Sequence, residues 1–238
     1  MKIKAIFFDL DGTLLPMDQE IFIKEYLGGL CRALAPRGYA PEAVGAALWK
    51  STAAMMRNDG RATNEEVFWN SFSAILGDNI RGEKELLADF YAGDFQKIKN
   101  SCGYTPESRK LIDRLKSSDL SIILATSPLF PTVATESRIH WAGLEPSDFD
   151  YVTTYENSRY CKPNPTYYAD LCEKLGLDPR EVLMVGNDVG DDMVAEAVGM
   201  QVFLLADCLI NKANENINKY RHGGFSKLSE LIEEIINE

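Results

Sequence analysis

Asp9 and Asp11 stand two residues apart just past the apolar run Ile3 to Phe8, and Gly12 and Thr13 follow at once. Carboxylates at i and i+2 leave a strand on the same side, and the glycine permits a sharp turn there. Three other places have the same character. Thr126 and Ser127 put hydroxyls after the run Leu120 to Ala125, and Lys162 stands in Cys161-Lys162-Pro163-Asn164-Pro165 ahead of a helical segment. The third, Gly186-Asn187-Asp188-Val189-Gly190-Asp191-Asp192, is an acid-rich turn after the run Val182 to Val185. Ligands of open α/β sheets bind beyond the carboxyl ends of the strands, so these groups are expected around one crevice.

Gathering them is restrictive. Two like charges about 4 Å apart repel by about 4 kcal/mol at an effective dielectric near 20, so Asp9, Asp11 and Asp188 cannot all remain ionised side by side unaided. A hard divalent cation removes the difficulty, and carboxylates without His or Cys nearby select Mg²⁺ over zinc. Lys162 then supplies positive charge on the other side of the site and Thr126 a hydroxyl donor. Together they would orient a phosphoryl group against a carboxylate nucleophile.

The elements that must hold these groups are legible in the hydrophobic pattern. Ile3 to Phe8, Leu120 to Ala125, Val182 to Val185 and Gln201 to Leu205 read as buried parallel strands, with a weaker one over Tyr151 to Thr154. Helix-period segments lie among them at Pro106 to Lys116, Phe130 to Ala142, Pro165 to Leu175 and Asp191 to Val198, and Phe225 to Ile236 closes the chain. This alternation predicts an α/β, Rossmann-like doubly wound parallel sheet. Between about Pro16 and Cys102 the alternation fails. Helical patterns at Gln19 to Leu34, Pro41 to Met56, Glu65 to Leu76 and Glu83 to Ile98 predict an inserted all-α lobe. Its Arg57-Asn58-Asp59-Gly60-Arg61 loop could reach over a phosphate, with Arg57 and Arg61 as substrate contacts, or be a solvated turn.

The motifs DLDGT at Asp9 to Thr13, LATS ending at Thr126 and Ser127, CKPNP with Lys162, and VGNDVGDD at Val185 to Asp192 closely resemble those of the haloacid dehalogenase-like superfamily. They occur in the family's order over residues 1–15 and 103–238, and the insert over 16–102 is similar to the superfamily's first class of helical cap. The resemblance implies Mg²⁺ and a phosphoaspartyl intermediate. It implies Asp9 as nucleophile and metal ligand, and Asp11 as general acid and base whose backbone carbonyl binds the metal. It gives Thr126 the phosphoryl oxygens and Lys162 the neutralisation of the transferring group, with Gly12, Thr13 and Ser127 as further substrate-binding positions. The family usually has Gly-Asp where this chain has Gly186-Asn187, so the remaining ligand is Asp188 or Asn187; the carboxylate is the better Mg²⁺ donor.

Other readings stand beside these. Acids at Asp191 and Asp192 suit a helix N-terminus through the macrodipole alone, and Ser127 is placed to cap the following helix. His140 and Trp141 read as packing residues, and His222 has no implied partner. The leading function is a Mg²⁺-dependent phosphatase acting on a small phosphorylated metabolite. Asp11 argues against a dehalogenase, which needs no acid there. A sugar-phosphate phosphomutase shares every motif; a phosphonate hydrolase would need a Schiff-base lysine, for which Lys24 and Lys50 have no distinguishing setting. A non-catalytic binding protein would have little reason to keep all four motifs.

Composition narrows the partners. Over 238 residues the chain carries 25 Lys and Arg against 36 Asp and Glu, a formal net charge of −11, which disfavours nucleic acid and anionic membrane surfaces. The five widely spaced cysteines contain no CxxC pair and read as reduced thiols. Neither a signal peptide nor a membrane span is apparent, so a cytoplasmic location is expected.

Overall fold

In the computed structural model, which describes residues 2–238, the first strand, β1 (Ala5–Phe8), is buried at every position and lies at the centre of a six-stranded sheet. The other strands are β2 (Ser121–Leu124), β3 (Tyr151–Val152), β4 (Val182–Gly186), β5 (Gln201–Leu205) and β6 (Arg221–Gly223), in the order β3-β2-β1-β4-β5-β6. Every pairing is parallel. The register sets Phe8 against Leu124 on one side and Val185 on the other. Asp9, Ala125 and Gly186 therefore leave three adjacent strands at one level, and Asp9 N–H donates to Val185 O at 2.9 Å while Ala125 N–H donates to Phe8 O at 2.7 Å.

Strand alternation sorts the core into two layers. Ile6 and Phe8, with Ile122, Leu124, Leu183 and Val185, pack beneath α6 (Pro106–Lys116), α7 (Thr132–Trp141) and α9 (Phe225–Asn237). Ala5 and Phe7, with Ile123, Val182, Met184 and Leu204, pack against α8 (Pro165–Leu175) and the 193–200 segment. That segment corrects the helix expected over Asp191 to Val198. It is a short 3₁₀ stretch from Met193 to Val198, closed by Gly199 at φ +96°.

Between β1 and β2 the chain forms α1 (Gln19–Leu34), α2 (Pro41–Met56), α3 (Asn64–Leu76), α4 (Lys84–Ala92) and α5 (Asp94–Lys97). Their starts follow from local chemistry. Asp18 accepts from the N–H groups of Glu20 and Ile21, Pro41 opens α2, and Thr63 forms a capping box with Glu66. The single helix expected over Glu83 to Ile98 is broken at Gly93, whose backbone leaves the helical region at ψ −90°. These helices share one hydrophobic core with the first layer of the sheet. Phe95 of α5 packs on Trp141 of α7 at 5.0 Å between centroids, and Phe22 of α1 meets Phe130 at 5.8 Å. Trp141 thus packs as expected, its Nε1 donating to Gln96 Oε1, while His140 faces outward beside Glu145. No helix among the described residues is long and apolar enough to cross a membrane.

Candidate active site

Beyond the ends of β1, β2 and β4 the structure brings together Asp9, Asp11, Thr13, Thr126, Lys162, Asn187 and Asp192. The Lys162 ammonium is 2% exposed, donating to Asp9 Oδ1 at 2.9 Å and to Asp192 Oδ1 at 2.6 Å. Burial opposes its charge, but the adjacent Asp192 and Asp9 outweigh that and hold its pKa well above the ordinary lysine value. The second oxygen of Asp192 accepts from the N–H of Asp188 at 2.9 Å. Asp192 is thus a buried anchor for the lysine rather than a helix N-terminal charge, since only a short 3₁₀ stretch follows it. Gly186 makes this approach possible, since a Cβ there would meet the Asp192 carboxylate at 2.2 Å.

Asp11 is held from the opposite side. The Arg138 guanidinium, wholly buried on α7, donates to Asp11 Oδ2, while Asp11 Oδ1 is buried with no hydrogen-bond partner among the described residues. Arg138 was not legible as a site residue, because an arginine in a helix ordinarily marks the solvent face. The available signal was its spacing, four residues after Ala134 and three before Trp141, on the stripe that faces the core.

Thr126 keeps its backbone carbonyl fixed by the hydroxyls of Thr153 and Tyr167, at 2.7 and 2.9 Å. Its own hydroxyl makes no hydrogen bond among the described residues, so it is available to a ligand. Ser127 does not cap α7: the helix begins at Thr132, whose N–H bonds to Glu156 Oε1. Gly12 turns at φ +90°, and a Cβ there would lie 2.4 Å from Asn187 Nδ2. Asn187 is consequently pressed under the Asp11-Gly12 turn, with Oδ1 accepting from the Thr13 hydroxyl at 2.9 Å and Nδ2 donating to Cys208 O at 2.7 Å. Asp188 is half-buried, and its Oδ1 accepts from the N–H groups of Gly190 and Asp191 at 2.7 and 3.1 Å.

Negative charge exceeds positive here. Asp9, Asp11, Asp188, Asp191 and Asp192 gather around Lys162 and Arg138 as buried cations. Burial raises the pKa of Asp11, Asp191 and Asp192, and neighbouring carboxylates add to it, Asp9 for Asp11 and Asp192 and Asp188 for Asp191. No group of three His, Cys, Asp or Glu side chains suited to a metal was found among the described residues. A cation here would instead draw on mixed oxygen donors: the Asp9 carboxylate, the Asp11 carbonyl, and Asn187 or Asp188. These are hard ligands that fit Mg²⁺.

The two arginines expected over the phosphate are not brought into this cluster. Arg61 is exposed and pairs with its neighbour Asp59, and Arg57 is exposed without a side-chain hydrogen bond among the described residues. Their loop is instead clamped to the segment preceding Lys162. Tyr160 OH donates to Asp59 O at 3.4 Å, and Asn64 Nδ2 lies within hydrogen-bond distance of Pro128 O and Tyr160 O, both at 3.3 Å. An apolar cavity of about 370 Å³ lies nearby between α1–α4 and the loop after β2, walled in part by Tyr26, Phe68, Tyr91 and Phe130.

Strand-end carboxylates set around a buried lysine on a doubly wound parallel sheet define an α/β enzyme whose working groups are acids. The chain belongs to the haloacid dehalogenase-like hydrolases, whose sequence pattern matches residues 3–199. It is 26% identical over 198 residues to the pyrophosphatase PpaX of Bacillus velezensis, spanning 83% of this chain and 81% of that one. It is also 26% identical over 203 residues to a phosphoglycolate phosphatase of Vibrio vulnificus, spanning 85% and 83%. In fold it is similar to the 2-haloacid dehalogenase of Pseudomonas syringae pv. Tomato, with a TM-score of 0.63, 18% identity and coverage of 98% and 99%. Fold alone does not choose between these chemistries, so the choice rests on the site.

Proposed function

We infer that the protein is a Mg²⁺-dependent phosphatase that hydrolyses a small phosphorylated metabolite through a phosphoaspartate on Asp9. The observation that carries this reading is Lys162, buried and shared between Asp9 and Asp192, with the Thr126 hydroxyl, unpartnered among the described residues, past the end of the strand next to the one that Asp9 follows. That arrangement presents a carboxylate oxygen, a fixed cation and a free hydroxyl to one phosphoryl group. Asp11, with its unbonded Oδ1, adds the acid that an ester leaving group needs and a halide does not.

In the first step an Asp9 oxygen attacks phosphorus and the bond to the ester oxygen breaks, while Asp11 gives that oxygen its proton. In the second, Asp11 takes a proton from water as the water attacks the phosphoaspartate, releasing phosphate and restoring Asp9. Lys162 and Thr126 hold the phosphoryl oxygens throughout, with Gly12, Thr13 and Ser127 lining the same strand ends. Mg²⁺, held by Asp9, the Asp11 carbonyl and Asp188 or Asn187, would neutralise the charge that develops on the transferring group.

Residues 16–102 act as a cap on the core formed by 1–15 and 103–238, excluding water during the first step. Support comes from the bonds that seat α3 on the core, Asn64 N–H to Ser158 O at 2.8 Å and Glu65 N–H to Tyr155 O at 2.9 Å. The relatives' names, pyrophosphatase and phosphoglycolate phosphatase, favour a small anionic substrate. The test is hydrolysis of 4-nitrophenyl phosphate and of a panel of phosphomonoesters, with Mg²⁺ and with chelator. Mg²⁺-dependent phosphate release is expected, and none on any ester would overturn the reading.

A further inference from the structure

Arg138 has no part in the phosphoryl-transfer steps described so far, yet it is the most conspicuous buried charge outside them. Its side chain is 0% exposed. Removing a guanidinium from water is costly unless a charge partner and hydrogen bonds offset it. Here the offset is nearly complete. Nε donates to Ala134 O at 3.2 Å, Nη2 to Thr135 Oγ1 at 3.3 Å and Nη1 to Asp11 Oδ2. The guanidinium also lies over the Phe130 ring at 4.4 Å from its centroid and faces Phe22 of α1 at 5.8 Å.

The fork is therefore fixed independently of Asp11, by its own helix and by two aromatic rings, and Asp11 is the partner that it aims. One carboxyl oxygen is taken by Arg138. The other, Oδ1, is buried and free of any hydrogen bond among the described residues. All three guanidinium nitrogens are already engaged within the protein, by Ala134, Thr135 and Asp11, so Arg138 acts through Asp11.

We propose that Arg138 is a positioning residue for Asp11: it grips Oδ2 so that Oδ1 is the oxygen that hands the proton to the leaving group. This rests on the phosphatase reading above. It also extends that reading, since Phe22 belongs to the helical insert and Phe130 to the core, so the grip on the acid is assembled where the two meet.

The test uses leaving-group dependence. An unactivated alkyl phosphate needs its leaving oxygen protonated, whereas 4-nitrophenyl phosphate departs with little help. A fault in folding or in Asp9 would slow both alike. The kinetic quantity is kcat/KM, which reports transfer to Asp9 and leaves out hydrolysis of the phosphoenzyme if that first step is irreversible. Arg138→Met, which keeps length and suits the aromatic surroundings, is expected to lower kcat/KM for the alkyl ester about a hundredfold and for the nitrophenyl ester less than about tenfold. In an Asp11→Asn background the same change is expected to add less than about threefold on either ester. Arg138→Lys retains the charge without the fork. It is expected to show the same split at smaller size, and it answers the question if the Met variant does not fold. Equal losses on the two esters, or full additivity with Asp11→Asn, would overturn the proposal. Wild-type turnover of both esters separately checks the phosphatase reading, and its absence would overturn both.

Discussion

Lys162 and Asp192 form an ion pair at 2.6 Å in which both side chains are 1% exposed. The aspartate fixes the lysine against Asp9, and its other oxygen fixes the backbone of the acid-rich turn at Asp188. One carboxylate thus ties two of the four strand-end segments together. Asp192→Ala is expected to lower stability by about 3 kcal/mol, because it leaves a buried ammonium with one partner fewer. The same variant should lose turnover about a hundredfold. Denaturant unfolding and steady-state kinetics on one preparation measure both, and a loss of activity without loss of stability would contradict the anchoring role.

Gly186 is needed because of that anchor. A Cβ at this position would lie 2.2 Å from the Asp192 carboxylate, so Gly186→Ala is expected to displace it and lose activity nearly as fully as Asp192→Ala does. Gly176→Ala is the control. Unlike Gly186 it sits at positive φ, +67°, but it has nothing within 4 Å of an added Cβ, and it is expected to lose about 1 kcal/mol of stability with turnover unchanged.

The two candidate metal ligands of the acid-rich turn can be separated. Asn187 already spends its amide on Thr13 and Cys208, whereas Asp188 retains a carboxylate oxygen without a hydrogen bond among the described residues. Asp188→Ala is expected to weaken Mg²⁺ binding more than Asn187→Ala, measured by titration calorimetry on the folded variants. The reverse order would assign the ligand to Asn187. Chelation should abolish turnover while circular dichroism stays unchanged.

A pH effect is expected away from the site, at Asp148. Burial alone would raise its pKa, but hydrogen bonds from Arg109 and Lys116 and from the Glu145 N–H prevail and bring it from 3.8 to about 2. A carboxyl depressed in the folded state adds stability that is complete above its unfolded pKa and fades as pH falls towards the folded one. Asp148→Asn should therefore be less stable than wild type by about 2 kcal/mol at neutral pH. The difference should shrink between about pH 4 and pH 2, as followed by denaturant unfolding at several pH values. A constant difference over that range would contradict the assignment.

Much of this arrangement was legible because buried parallel strands leave a plain signature. Four apolar runs became β1, β2, β4 and β5, and the polar residues past three of those runs mark the ends of adjacent strands. The sixth strand was not legible, since Arg221-His222-Gly223 is an edge of three residues with no apolar run. The part played by Asp192 is not legible for a physical reason: acids at a helix start need no other explanation, and it is the bonds to Lys162 and the Asp188 N–H that show it turning inward. Arg138 was missed because a charge on a helix is read as solvated until a buried partner such as Asp11 is known.

The central claim is covalent chemistry at Asp9. The most direct measurement is rapid acid quenching during turnover of 4-nitrophenyl phosphate with Mg²⁺, followed by mass spectrometry of the peptide that contains Asp9. The wild type should carry a phosphoryl group on Asp9, and Asp9→Asn should carry none and release no nitrophenol. An Asp9→Asn variant that turns over at close to the wild-type rate, or a phosphoryl group found on another residue, would contradict the account.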